Sequence, residues 1–143
     1  MIDTILLPTD GSDAAQNSIE RAYELAEQFG AELHVLYVVE LESIPTFPNL
    51  DAEPMREAHR RRAEDLLEGI EADAPAGVDV TTVIEEGHAD DRIVAYAEAH
   101  DVDVITMGTH GREGLGRVLI GSVTERVIRE APCSVMVTPM DQS

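Results

Sequence analysis

Between Gly108 and Ser122 the chain reads Gly-Thr-His-Gly-Arg-Glu-Gly-Leu-Gly-Arg-Val-Leu-Ile-Gly-Ser, with five glycines in the fourteen positions up to Gly121. Glycine reaches positive φ freely and leaves open the space where a Cβ would hold a ligand away from the backbone. The short apolar run from Val102 to Met107 leads into this stretch, and a helical pattern begins near Ser122. A strand, a glycine-rich loop and a helix start, in that order, make an anion site, because unpaired backbone N–H groups and the helix dipole point to one place. Phosphate is the ligand such a site fits best.

The loop is none of the common phosphate motifs. A Walker A loop reaches the terminal phosphates with a lysine, and the chain contains none. A dinucleotide fingerprint also fails, since Gly114-Leu115-Gly116 is followed by Leu119 where the third glycine belongs. Backbone N–H groups and the Ser122 hydroxyl, expected at the N-cap of the following helix, must then carry most of the binding. Arg112 and Arg117 are either phosphate ligands or solvated loop charges. A second polar junction, Pro8-Thr9-Asp10-Gly11-Ser12, follows the first apolar run. There Asp10 can cap a helix, face a ligand, or do both.

The other chemistry-bearing residues give less. His34, His59, His88, His100 and His110 show no zinc spacing, and His110 alone falls in the loop. His34 is expected against a helix or the sheet, and the rest at the surface. Cys133 is the single cysteine, expected as a small buried residue before the last strand; it has no intrachain disulfide partner, which fits a reducing compartment. Arg60-Arg61-Arg62 reads as a solvated helix face answering Glu57, Glu64 and Asp65.

The elements that must hold these loops are legible in the apolar periodicity. Strand-like runs at Ile2 to Leu7, Leu33 to Val39, Val78 to Ile84, Val102 to Met107 and Val135 to Val137 alternate with helical patterns. The first helix repeats Ala15, Ile19, Ala22, Ala26 and Phe29 between a Ser12 cap and a Gly30 stop. The second starts near Asp51 and carries Met55, His59, Leu66, Leu67 and Ile70 to a stop around Pro75 to Gly77. The third spans about Asp90 to Ala99 with Ile93, Val94 and Ala97 inward, and the fourth turns Val123, Val127 and Ile128 inward.

Strict alternation of this kind implies a single α/β domain over residues 1–143, an open five-stranded parallel sheet flanked by helices on both faces, Rossmann-like, in strand order 3-2-1-4-5. The polar alternation of Val78 to Ile84 marks an edge strand. The more continuously apolar runs at 2–7 and 102–107 mark central ones, and as neighbours they create a switch-point crevice where the two loops meet.

Twenty-nine acidic residues against ten arginines give a net charge of −19. That excludes nucleic acid as a partner, since affinity for a polyanion comes from basic side chains that displace counterions. Hydrophobic residues at 43% in clear periodic runs argue against disorder. Lysine depletion with so negative a charge is expected of a protein adapted to a high-salt cytoplasm, where the Debye length falls to about 3 Å at 1 M and self-repulsion is screened. Nothing resembles a membrane span or a secretory leader, so a soluble cytoplasmic protein with no membrane partner is expected.

The spacing Gly108-x2-Gly111-x9-Gly121, followed by Ser122, resembles the signature of the universal stress protein family in its ATP-binding branch. The likeness runs through the chain, from Ile5-Leu6-Leu7-Pro8-Thr9-Asp10-Gly11-Ser12 and Val35-Leu36-Tyr37-Val38-Val39 to Glu86-Gly87 and Cys133-Ser134-Val135-Met136-Val137. It implies an ATP site in which Pro8, Thr9 and Asp10 line the nucleoside. Asp10 faces ribose hydroxyls or, through water, a divalent ion. Val38 gives backbone contacts to adenine, Met107 and Gly108 lie beside the nucleoside, and Gly111, Arg112, Gly121, Ser122 and Val123 surround the polyphosphate. A carboxylate near phosphates repels them, so a bridging Mg²⁺ or Mn²⁺ follows, although no dedicated metal-ligand cluster is present.

The resemblance further implies a homodimer paired through Ser134 to Thr138, whose exposed edge must be covered, and a nucleotide-dependent regulatory or stress-response role read by an unidentified protein partner. Two other readings stand beside it. One is a slow ATPase or phosphotransferase, for which the chain offers no general base beyond Asp10 or His110. The other is a dimeric interaction module with a vestigial site, against which the intact glycine spacing counts.

Overall fold

The structure, a computed structural model, describes residues 1–40, 46–109 and 121–139. Among them five strands, β1 (Thr4–Thr9), β2 (Glu32–Val39), β3 (Val80–Glu86), β4 (Val104–Gly108) and β5 (Ser134–Thr138), alternate with four helices, α1 (Asp13–Phe29), α2 (Glu53–Asp73), α3 (Ala89–Ala99) and α4 (Ser122–Glu130). Every ladder is parallel and the order is β3-β2-β1-β4-β5, as the sequence predicts. Parallel neighbours require a crossover, and each helix supplies one while covering a face of the sheet.

The period of two along β1 sends Ile5 and Leu7 to one face and Leu6 to the other. Ile5 and Leu7 join Leu33, Val35 and Tyr37 under α1 and α2, whereas Leu6 joins Leu36, Ile105 and Met107 under α3 and α4. A strand covered on both faces must be apolar at every position, which is why residues 2–7 read as a continuous run. β3 and β5 lie at the two edges.

Three strands begin two residues later than their apolar runs. Ile2 and Val78 pack against the first core and Val102 is buried in the second, yet none of the three belongs to a strand. Apolarity reports burial, whereas ladder membership depends on the backbone. For the same reason Pro8 and Thr9, Glu85 and Glu86, and Gly108 remain in their strands despite their side chains.

α1 ends at Gly30, which adopts the left-handed conformation at φ 62° and donates its N–H to the Ala26 carbonyl. Ile19, Ala22 and Ala26 are buried as predicted, but Phe29 is 49% exposed, so the apolar stripe ends one turn before the cap. The side chain of Ala15 lies outside the described residues. In α2 the buried positions are Ala63, Leu67 and Ile70, and Met55 is exposed. In α3 Tyr96 joins Ile93 and Ala97 inside, and Val94 is only half-buried. In α4 the inward pair is Thr124 and Val127, and Ile128 is 44% exposed. The Thr124 hydroxyl explains that rotation, because it donates to the Gly108 carbonyl at 3.0 Å and fixes which side of α4 meets the sheet.

Candidate functional site

β1 and β4 lie side by side, but their hydrogen-bonded ladder is short because Pro8, on the side of β1 that faces β4, has no N–H to donate. Their ladder contains Ile5↔Val104 and Leu6↔Ile105 and then stops, whereas β1 and β2 stay in register from Thr4↔Glu32 to Thr9↔Tyr37. β4 instead follows β5 through Gly108↔Thr138. Crossovers leaving β1 and β4 go to opposite faces, the arrangement that makes a switch point beyond their carboxyl ends, at Thr9 and Gly108.

The β1 side of this switch point is a polar turn. The Asp10 Oδ1 accepts the Ser12 N–H at 2.9 Å, and the Thr9 hydroxyl oxygen accepts the Gly11 N–H at 3.3 Å. Gly11 sits at φ +80°, a conformation other residues rarely adopt, and a Cβ there would touch Leu66 Cδ2 at 3.4 Å. Asp10 thus shapes the turn ahead of α1 and Ser12 is the N-cap residue. The Ser12 hydroxyl makes no capping bond, and its oxygen is buried without a hydrogen-bond partner. An orphaned buried hydroxyl costs free energy unless something else satisfies it.

The β4 side shows where the glycine stretch leaves and re-enters the fold. Thr109 donates its N–H to the Thr138 carbonyl at 3.2 Å, continuing the β4–β5 ladder by one residue, and its own carbonyl accepts the Gly121 N–H at 2.6 Å. Gly121, not Ser122, is the N-cap of α4, at φ −64° and ψ 160°, and Ser122 is the first helical residue. The expectation of Ser122 as N-cap is corrected by one position. The reason is that the Gly121 carbonyl already accepts the first helical bond, from Glu125 at 2.9 Å. The N–H groups of Ser122 and Val123 open the helix and have no intrahelical acceptor.

The predicted site residues therefore divide. Pro8 and Thr9 close β1 and Asp10 follows it, Val38 lies one residue before the end of β2, and Met107 and Gly108 close β4. Gly121, Ser122 and Val123 begin α4 beside Thr109. Gly111 and Arg112, with His110 and Arg117, lie outside the described residues. Thr109 and Thr124, both buried, were not singled out from sequence, yet they tie the start of α4 to the end of β4. A threonine at 124 beside Val127 has inward helical spacing, but its polarity disguises it.

Beyond the switch point, the carboxyl end of β3 is held by α2. Arg56 Nη2 meets Glu86 Oε1 at 2.5 Å and Arg60 Nη1 lies 3.7 Å from Oε2. Arg60 thus answers an acid across the fold instead of Glu57, Glu64 or Asp65 on its own helix. Cys133 is half-buried, and burial, with the Asp103 charge adding, pushes its thiol up and keeps it protonated. Among the described residues no cluster of three or more His, Cys, Asp and Glu could hold a metal ion. No helix among them is long and apolar enough to cross a membrane.

The fold is that of a doubly wound α/β domain, with its switch point between β1 and β4. The chain belongs to the universal stress protein family, whose model matches residues 1–139. A universal stress protein of Methanocaldococcus jannaschii is 37% identical over 135 residues, covering 93% of this chain and 79% of the relative. The solved structure of the hypothetical protein MJ0577 superimposes with a TM-score of 0.90 at 28% identity, over 100% of this chain and 99% of that one. Two more distant structures share the fold. A universal stress protein in complex with cAMP has a TM-score of 0.74 at 21% identity, covering 97% of this chain and 98% of that one. An Arabidopsis thaliana family member with AMP bound has 0.69 at 18%, over 98% and 93%.

Proposed function

We propose that this chain binds ATP in the β1/β4 crevice and acts as a nucleotide-dependent regulatory protein in a stress response. The observation that carries the reading is that α1 and α4 leave the neighbouring strands β1 and β4 toward opposite faces, which sets the Thr9-Asp10-Gly11-Ser12 turn and the Gly121 helix start at one switch point. The family signature spacing and the adenine nucleotides bound by two relatives support it. In this reading Pro8, Thr9, Asp10, Val38, Met107 and Gly108 surround the nucleoside. Gly111, Arg112, Gly121, Ser122 and Val123 surround the phosphates. A Mg²⁺ or Mn²⁺ would be held by phosphate oxygens with Asp10 as the one nearby carboxylate of that turn. The Asp10 carboxylate already accepts the Ser12 N–H, which suits a binding role better than that of a general base, so retention of ATP is favoured over turnover.

The β5 edge extends the proposal to a homodimer. Its sequence Ser134-Val135-Met136-Val137-Thr138 carries no charge, it pairs only with β4 among the described residues, and Met136 is exposed. A neutral edge in so acidic a chain can approach its own copy without repulsion.

One purification tests these readings together. Protein prepared in molar KCl should release ATP on denaturation and sediment as a dimer. The same protein should melt at a lower temperature in dilute buffer, as high-salt adaptation in a cytoplasm requires. Added ATP at 100 times its Kd should stabilise it by about 2.7 kcal/mol. No released nucleotide and no thermal shift with ATP would sink the binding proposal.

A further inference from the structure

The second sheet edge, β3, differs from β5 in charge and in what lies beside it. A groove of about 310 Å³ runs between β3 and α2, lined by Glu64, Leu67, Glu68, Glu71, Thr82 and Ile84. Its floor is apolar and its rim is three glutamates spaced along one side of the helix. Among the other helical glutamates, Glu24, Glu53, Glu125 and Glu130 each meet an arginine of their own helix, while Glu20, Glu27, Glu57 and Glu98 meet none among the described residues and line no groove with the β3 edge. Glu64, Glu68 and Glu71 meet no cation among the described residues, and Arg60, one turn before Glu64, is drawn to Glu86 instead.

The backbone beside this groove is unpaired in the same place. Leu33 donates to the Asp79 carbonyl and Gly87 donates to the Val39 carbonyl, so the odd-numbered residues of β3 turn their polar groups toward β2. The alternation of a strand then turns the N–H and C=O of Thr82 and Ile84 outward, and these are the residues whose side chains line the groove. A strand added at this edge would place every second side chain over Leu67 and Ile84.

We propose that the β3 edge and the α2/β3 groove dock an extended basic segment of another protein, which adds as a sixth strand and carries arginine or lysine at alternate positions. The aliphatic stems cover Leu67 and Ile84 while the charged ends reach Glu64, Glu68 and Glu71. The spacing is compatible. Glu64 to Glu71 spans about 10.5 Å along the helix, and alternate residues of a strand stand about 6.7 Å apart, so two successive cations fall within the glutamate row. A second copy of this chain does not fit, because β3 against β3 brings Glu85 and Glu86 together in a molecule of charge −19. Nor can this chain supply the segment: eight of its ten arginines lie in helices, and the other two, Arg112 and Arg117, are five residues apart.

The probe is a short end-blocked peptide of alternating arginine and valine, titrated by fluorescence anisotropy at moderate salt. Glu64→Gln, Glu68→Gln and Glu71→Gln together should weaken its binding by about tenfold, the sum of three surface charge pairs. Removing the same number of charges from α1, by Glu20→Gln, Glu24→Gln and Glu27→Gln, should leave it nearly unchanged. Alternate backbone N-methylation of the peptide should abolish binding. So should Thr82→Pro, which deletes an outward N–H without touching the β2 ladder. Equal losses from the two triple variants, or full binding by the N-methylated peptide, would show a diffuse attraction to an acidic surface and overturn the proposal. The ATP response of each variant, read by thermal shift, reports separately on the crevice.

Discussion

The two ends of the sheet are built from the same strands, yet they treat polar groups in opposite ways. At the carboxyl end the β1–β4 ladder stops at Pro8, the Ser12 hydroxyl is buried without a partner among the described residues, and the first N–H groups of α4 lack intrahelical acceptors. At the amino end the same two strands are stitched together. One Asp103 carboxylate oxygen accepts the N–H of Asp3 at 2.8 Å and of Thr4 at 3.0 Å, while the Asp103 N–H donates to the Thr4 carbonyl at 2.9 Å.

Further along that end, Glu32 accepts the Thr81 hydroxyl at 3.1 Å and lies 3.0 Å from His34 Nε2. Since the carboxylate only accepts, Nε2 carries a proton. The Tyr96 hydroxyl lies 2.6 Å from Nδ1, the second hydrogen bond of the same ring. Burial, with Glu85 and Glu32 adding, pushes the Tyr96 phenol up and keeps it protonated. His100 stacks on Tyr96 with ring centroids 3.9 Å apart. An end that satisfies its polar groups internally contributes stability, and an end that leaves them open is available to a ligand.

The contrast can be broken most forcefully at the open end. Gly121→Val places a branched side chain at the α4 cap. It should erase the stabilisation by ATP, about 2.7 kcal/mol at 100 times Kd, while the ligand-free protein loses only about 1 kcal/mol of cap stability. Thermal shift with and without ATP reads both quantities, and a retained ATP response would remove the glycine from the site. At the closed end, Tyr96→Phe removes the hydrogen-bond partner of the part-buried His34 Nδ1. A loss of about 2 kcal/mol in urea unfolding is expected, with the ATP response intact.

Smaller changes sharpen the same division. The Thr106 hydroxyl on β4 is fully buried and unpartnered, so Thr106→Val, which keeps the shape, should be neutral or stabilise by about 1 kcal/mol in the same unfolding assay. If instead it weakens ATP binding, the open end extends deeper along β4 than the crevice mouth.

The smallest effect concerns Asp103, whose carboxyl is held below the usual range by the N–H groups of Asp3 and Thr4. A carboxyl with a lowered folded pKa stabilises the protein above its unfolded pKa of about 3.9, and that contribution is lost as pH falls through the folded value. Asp103→Asn should therefore lower the melting midpoint by a few degrees at neutral pH, and the two proteins should converge in acid. A constant gap across the pH range would mean that the charge of Asp103 contributes nothing.

Much of this was readable in advance, and the failures share a cause. Which strands are central and which is an edge follows from which apolar runs are continuous and which alternate, because a strand covered on two faces has no room for polar positions. Element ends and helix faces were less legible. Ile2, Val78 and Val102 read as strand because they are buried, and Phe29 and Ile128 read as core because they keep helical spacing. Whether a position at that spacing meets the sheet depends on where the helix is anchored, as the Thr124 bond to Gly108 shows for α4. His34 faces a helix as expected, through Tyr96 of α3, but that this helix would supply the partner carries no pattern in sequence.

The amino-acid sequence by itself determined the parallel α/β architecture, the family, and the glycine spacing on which the nucleotide proposal rests, because periodicity, composition and motif spacing are local properties of the chain. The tertiary structure alone decided that Gly121 and not Ser122 caps α4, and that Arg60 reaches Glu86 while Glu64, Glu68 and Glu71 stay without a cation among the described residues. Each of these depends on groups far apart in sequence being brought within a few ångströms, and hydrogen bonds and ion pairs are decided at that distance.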